Sequence, residues 1–294
     1  MKLKELEIVE KKNVLNEIKK NDMTLQELRF FSIYLAKINA RDVSTRVVKF
    51  KLEEFQKIMN LGKMNIQSFK DIIDRLLCKV VHVPRENGKP GYRAFQLFKK
   101  CEVYPDENDY NQWYVEINAH DDALPLMFEF KEKYFTYALW NALRLTSRNQ
   151  LRMYELLKQY EPIGMREIKL DKLKDWLGID QDEYSMFNKF KIRVLDACQK
   201  ALLENTDIKY DYELMKTGRR VSGVRFIIKK NEDYKDPLKL KEYVNSISDY
   251  EKKLVSLSNR KQVSRRRKNK HEGFFELGEN ASFTMEDIYA KIEN

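Results

Sequence analysis

Residues able to do covalent chemistry are few and scattered along this chain. Only His82, His120 and His271 occur in 294 residues, and none is a neighbour of another. A strand-nicking site, in which a Tyr attacks beside a metal held by closely spaced His, therefore lacks its ligands. Sixteen Tyr are present, but most fall at the core spacing of helices or strands. Gly218-Arg-Arg-Val-Ser-Gly223 has two glycines at a spacing that suits a phosphate cradle, yet Val224 stands where its Lys belongs. Cys78, Cys101 and Cys198 are odd in number and unpaired in spacing, which argues against a disulfide framework or a thiolate zinc site and fits a reducing cytosol. The expectation is a protein that is not an enzyme and takes no metal or cofactor.

The chemistry on offer is that of cations facing a polyanion. Fifty-six Lys and Arg against 46 Asp and Glu leave a net charge of +10, for which nucleic acid is the first candidate partner. Most of the excess lies late in the chain. Residues 1–129 carry 22 basic and 20 acidic side chains, and residues 130–230 carry 21 and 14. Residues 231–270 carry 12 and 6, with Arg260 to Lys270 free of acids, and 271–294 reverse to 1 and 6. Such blocks predict a flexible basic-then-acidic tail over 231–294. The basic run would add phosphate contacts, so deleting residues after about 235 should flatten the salt dependence of DNA binding. Within the tail, Met285, Ile288, Tyr289 and Ile292 share one face of a possible short helix over 284–292, suited to docking a host factor. The charged N-terminus has no signal-peptide core, and no run approaches a membrane span, so a cytoplasmic protein without a membrane partner is expected.

A repeated unit positions the cations. Gln26–Leu35 matches Asn149–Lys158 in polar and apolar order. Phe50, Leu52, Phe55, Ile58 and Met59 then fall on Ile168, Leu170, Leu173, Trp176 and Leu177, and Phe69, Ile72, Leu76 and Leu77 on Phe187, Phe190, Val194 and Leu195. Each copy reads as helix, short strand, helix, turn, helix and β-hairpin, which is a winged helix. The fold class is α+β, mainly α: a winged-helix domain over 1–129, a second over 130–230, and the tail.

In the second copy a strand, Arg166–Leu170, leads to Asp171 as N-cap of a helix over 172–177 stopped by Gly178. A long helix over 181–203 and strands over 208–214 and 221–228 follow, with Gly223 at a bulge and Gly218 free to take positive φ in the turn. Advancing 100° per residue puts Phe187, Phe190, Val194, Ala197, Cys198 and Ala201 on the core side of the long helix. Ser185, Asn188, Lys189, Ile192, Asp196, Gln199 and Lys200 lie opposite, with Arg193 at the flank. The exposed residues near a recognition helix's N-terminus reach base edges. Asn188 suits adenine, Lys189 or Arg193 guanine, and Ile192 a thymine methyl. A solvated basic helix is the competing account of this face. Lys216, Arg219 and Arg220 at the wing, and Arg225 further along, suit phosphates. In the first copy Gln67, Ser68, Lys70 and Arg75 take the helix positions and Arg85, Lys89 and Arg93 the wing. There Asp71 and Asp74 intervene, so a weaker DNA contact or a protein-protein module is expected. Its strands are read over 80–83 and 94–103 about an Asn87-Gly88 turn, with Trp113–Asn118 added.

The stretch from Phe135 to Lys158, with Leu170-Asp-Lys-Leu-Lys-Asp-Trp-Leu-Gly178, Phe190-Lys-Ile-Arg-Val-Leu195, Thr206-Asp-Ile208 and Gly218-Arg-Arg-Val221, resembles the theta-type plasmid replication initiator (Rep) family. The resemblance covers about residues 10–230. It implies tandem winged helices, the second binding direct repeats (iterons) in double-stranded origin DNA and the first supporting dimerisation and secondary DNA contacts. It also implies a monomer that initiates, a dimer that represses its own gene, and recruitment of the host initiator and helicase machinery. On this sequence the family's reading helix becomes Tyr184–Leu203, with Lys189, Lys191 and Arg193 as basic contacts, although Ile192 interrupts the basic run. A winged-helix transcriptional regulator without an initiator role is the alternative.

Overall fold

The chain order begins with a strand that charge alone disguised. In the computed structural model, which describes residues 8–17, 23–53, 66–85, 90–110, 112–128, 133–184 and 186–234, β1 (Ile8–Lys12) pairs antiparallel with β7 (Tyr134–Ala138). The tail beyond 234 with its proposed helix, the Asn87-Gly88 turn, Lys89, Ser185 and the first-copy helix past Glu53 lie outside the described residues.

α1 (Leu25–Lys37) starts at Thr24, whose hydroxyl accepts from the Glu27 amide while the Glu27 carboxylate accepts from the Thr24 amide. This capping box satisfies two amides that helix geometry leaves free. The helix is buried nearly all round, with Phe30, Phe31 and Tyr34 meeting the Phe98 ring edge-on at 6.2, 6.0 and 4.8 Å. Two of its buried residues are charged, and each has partners. Glu27 meets Arg75 and Lys79, and Arg29 donates to the carbonyls of Leu143 and Leu145.

The chain continues through β2 (Val47–Lys51), α2 (Ile66–Cys78), β3 (Val80–Pro84), β4 (Tyr92–Gln96), β5 (Phe98–Pro105), β6 (Trp113–Ala119), α3 (Leu124–Met127), β7 and α4 (Leu139–Arg144) to α5 (Arg148–Lys158). α5 has a capping box of its own, between Ser147 and Gln150. The second copy, which α5 opens, continues as β8 (Met165–Lys169), α6 (Leu170–Leu177), the long helix α7, β9 (Ile208–Thr217) and β10 (Arg220–Lys230). α1 and α5 begin at 25 and 148, and β2 and β8 at 47 and 165, so the sequence offsets of 123 and 118 are those of real elements.

Three expectations change on the way to α7. Lys169, not Asp171, is the N-cap of α6, because β8 runs straight into the helix. Asp171 sits instead in the first turn, where a carboxylate favours the helix dipole. Gly178 does end α6, in the left-handed region at φ 68°. α7 begins at Phe187 rather than 181, since residues 181–184 form turns and Tyr184 takes φ 58°. The buried Lys174 ammonium fixes that turn by donating to the carbonyls of Gln181 and Glu183. α7 comprises Phe187–Phe190, a π-helical stretch Lys191–Asp196 and Ala197–Asn205. The wider π turn shifts the core seam, so Leu195 and Leu202 are buried with Phe190, Val194, Cys198 and Ala201, while Ala197 is exposed and Phe187 half-buried.

The sheets correct the first copy. Its strand over 94–103 is broken at Leu97, with β4 pairing β3 in one sheet and β5 pairing β6 in another. Trp113–Asn118 is no addition, because β6 lies between β2 and β5 as β10 lies between β8 and β9. The topological counterpart of the basic second wing is therefore β5–β6, whose connection carries Asp106, Glu107 and Asp109 and no base. Arg85 and Arg93 belong to the separate β3–β4 hairpin.

Candidate nucleic-acid interface

Phe190, Val194 and Leu195 seat α7 from beneath. All three are fully buried, Tyr184 and Phe187 rings pack at 6.0 Å on Phe190, and the Tyr210 hydroxyl donates to the Leu195 carbonyl at 2.7 Å. Each fully buried side chain of this size stabilises by about 1.5–3 kcal/mol, so the helix is held rigidly by one side and free on the other.

The free side presents Asn188, Lys189, Ile192 and Arg193, all exposed. Among the described residues no carboxylate lies within ion-pair distance of Lys189 or Arg193. Lys191 differs. Its ammonium donates to Asp196 at 2.9 Å, and the Tyr212 hydroxyl donates to the same carboxylate at 2.5 Å. Burial alone would raise the Asp196 carboxyl, but these two hydrogen bonds bring it below its ordinary value, and the same contact raises the Lys191 ammonium. Lys191 is thus occupied within its own helix turn, across the π segment. Lys200 is exposed beside Glu204 at 3.9 Å.

At the wing, Thr217 pairs with Arg220 so that Gly218 and Arg219 form a two-residue connection. Gly218 takes φ 61°, the turn conformation a side chain disfavours. Lys216, Arg219 and Arg220 are exposed there, and among the described residues none has an acidic partner. The register shifts between Val221 and Gly223, which is the expected bulge. A Cβ on Gly223 would lie 2.8 Å from the Ile168 carbonyl oxygen, so glycine lets β10 approach β8. Arg225 is placed elsewhere, on the outer sheet face, where it donates to Glu167 at 2.8 Å and Glu213 at 3.1 Å. Those two carboxylates raise its pKa and largely cancel its field.

The first copy brings fewer of its candidates together. Lys70 is exposed next to Asp71, whereas Arg75 reaches Glu27 at 3.4 Å. The Gln67 and Ser68 side chains lie outside the described residues. Two contributors escaped sequence reading: Lys174, disguised as a surface lysine, and Met186, the N-cap of α7 and 57% exposed. Neither carries a spacing signal. Among the described residues no cluster of three or more His, Cys, Asp or Glu is placed to hold a metal, and no helix is long and apolar enough to cross a membrane.

A basic, outward helix face followed in the same copy by a basic hairpin tip is a combination that duplex DNA accepts, the helix in the major groove and the hairpin on phosphates. Residues 8–158 match the family model described as initiator replication protein, WH1, and residues 169–228 match initiator Rep protein, WH2. Among solved structures, the Pi initiator protein in complex with iteron DNA aligns with a TM-score of 0.63 at 20% identity, covering 78% of this chain and 99% of that one. Domains 2 and 3 of RctB align at TM-score 0.38 and 13% identity, over 71% and 83%. No curated protein matches. The two winged-helix matches take in most of the chain, which belongs to the initiator replication (Rep) protein family.

Proposed function

We propose that this chain is a plasmid replication initiator that binds direct repeats in double-stranded origin DNA, with the second winged helix reading sequence. The observation that carries this reading is the exposed Asn188 on α7 with the unneutralised cations Lys189 and Arg193, joined in one domain to the cationic wing tip at Lys216, Arg219 and Arg220. Asn, Lys and Arg are the residues that discriminate adenine and guanine in the major groove. The wing cations and Lys200 position the protein on phosphates and carry no sequence information. The half containing the first winged helix supports self-association and secondary DNA contacts, with Lys70 and Lys89 among them. On this reading the protein works in the cytoplasm, where it helps open the origin, recruits the host initiator and helicase, and represses its own gene as a dimer. It acts by binding, without cutting the strand.

Footprinting on the DNA that flanks its gene tests this. An initiator protects several direct repeats in helical phase beside an AT-rich stretch, and a transcriptional regulator protects one inverted repeat. Magnesium-dependent nicking of a supercoiled origin plasmid would refute the absence of strand chemistry.

A further inference from the structure

Ile192 is 55% exposed in the middle of a helix whose neighbouring Phe190, Val194 and Leu195 are completely buried. An apolar side chain left in water forfeits the gain of burial, and this one lies on the same outward face as the exposed Asn188, Lys189 and Arg193. Residues four apart share a helix face, which sorts the outward residues into two rows. Asn188 and Ile192 form one, and Lys189 and Arg193 the other. The π stretch that begins at Lys191, with Lys191 itself tied to Asp196, leaves Ile192 flanked by no competing cation on its own row.

The thymine 5-methyl is the apolar group that base edges present in the major groove, and an Asn amide is the bidentate partner of adenine. We propose that Ile192 packs on one thymine methyl in each repeat, a turn away from an adenine read by Asn188, while Lys189 and Arg193 face guanine on the adjoining row. This inference rests on α7 lying in the major groove, as proposed above, and adds a chemical identity to one base of the repeat.

The test replaces each thymine of a protected repeat, singly, with deoxyuridine, which removes only the methyl, and measures Kd by fluorescence anisotropy. Wild-type protein should lose about fourfold at one position per repeat, the equivalent of one buried methyl. Ile192→Ala should bind the thymine repeat with the same loss and be indifferent to uracil there, while Ile192→Val keeps part of the discrimination. The full-length variants should melt as wild type does, since the side chain is exposed. An absence of any uracil effect in wild type, or an undiminished effect in Ile192→Ala, overturns the thymine assignment. Arg193→Ala separates that failure from a deeper one. If it loses preference for the repeat, the groove reading stands without the thymine contact, and if it keeps wild-type preference, both fall.

Discussion

Lys11 of β1 and Glu155 of α5, 144 residues apart, meet at 2.6 Å with 2% and 0% of their side chains exposed. Around them Arg152 donates to Glu155 and to the Asn16 carbonyl, the Tyr137 hydroxyl donates to Glu155 at 2.8 Å, and Arg166 meets Glu17 at 2.6 Å. Residues 8–17 therefore pack against the buried face of α5, the helix that opens the second copy. Burial raises the Glu155 carboxyl, yet Lys11 and Arg152 overrule it and bring it below its ordinary value.

Removing one partner of a buried ion pair strands the other, at a cost of about 3–5 kcal/mol. Lys11→Ala should lower stability toward the smaller figure, because Arg152 still faces Glu155. A fragment beginning at 130 lacks the whole segment and should not melt cooperatively. Circular dichroism melts of both check this, and a fragment with full-chain cooperativity contradicts it.

The pH dependence has a definite sign. Burial, reinforced by Arg152 and opposed by Glu155, lowers the Lys11 ammonium from 10.5 to about 8. Between those values the unfolded chain holds a proton that the folded chain has released, so this group's contribution to stability rises with pH there and is flat below 8. Tyr137, raised far above 10 by burial, reverses the trend once unfolded tyrosine ionises. Wild type should gain stability from pH 8 to 10 relative to Lys11→Met, measured as the urea midpoint.

How much of this was legible in the sequence follows from what sequence spacing encodes. Local periodicity carries helices and strands, which is why α1 and α5, or β2 and β8, could be superposed by offset alone. Gly178 and Gly218 announce their left-handed conformations because few other residues take them. The β1–β7 pairing could not be read this way, since Ile-Val-Glu-Lys-Lys is charged and its partner lies over a hundred residues on. The π stretch in α7 escaped because a fixed 100° advance assigns Ala197 rather than Leu195 to the core. The hairpin of β3 and β4 was legible, but the strand expected over 94–103 was not, because Leu97 divides it between two sheets and alternation does not announce that break.

Gly223→Ala should destabilise by about 1–3 kcal/mol, because the new methyl meets the Ile168 backbone oxygen, which no side-chain rotation relieves. The loss should appear in the thermal midpoint of the free protein. An unchanged midpoint would show that β10 can draw away from β8 without penalty.

Asp196→Ala releases Lys191 from its internal pair. A cation freed on this face adds up to one phosphate contact, so the slope of log K against log salt should steepen by about 0.9, with affinity for unrelated duplex rising too. An unaltered slope would mean that Lys191 never reaches the DNA.

Titration of one labelled repeat and one unrelated duplex of equal length, at fixed salt, tests the base-reading role of α7 most directly. Replacing Asn188, Lys189 and Arg193 together with Ala should bring the two affinities together, while Arg219→Ala should weaken both by the same factor. A triple variant that still prefers the repeat as wild type does would contradict the account.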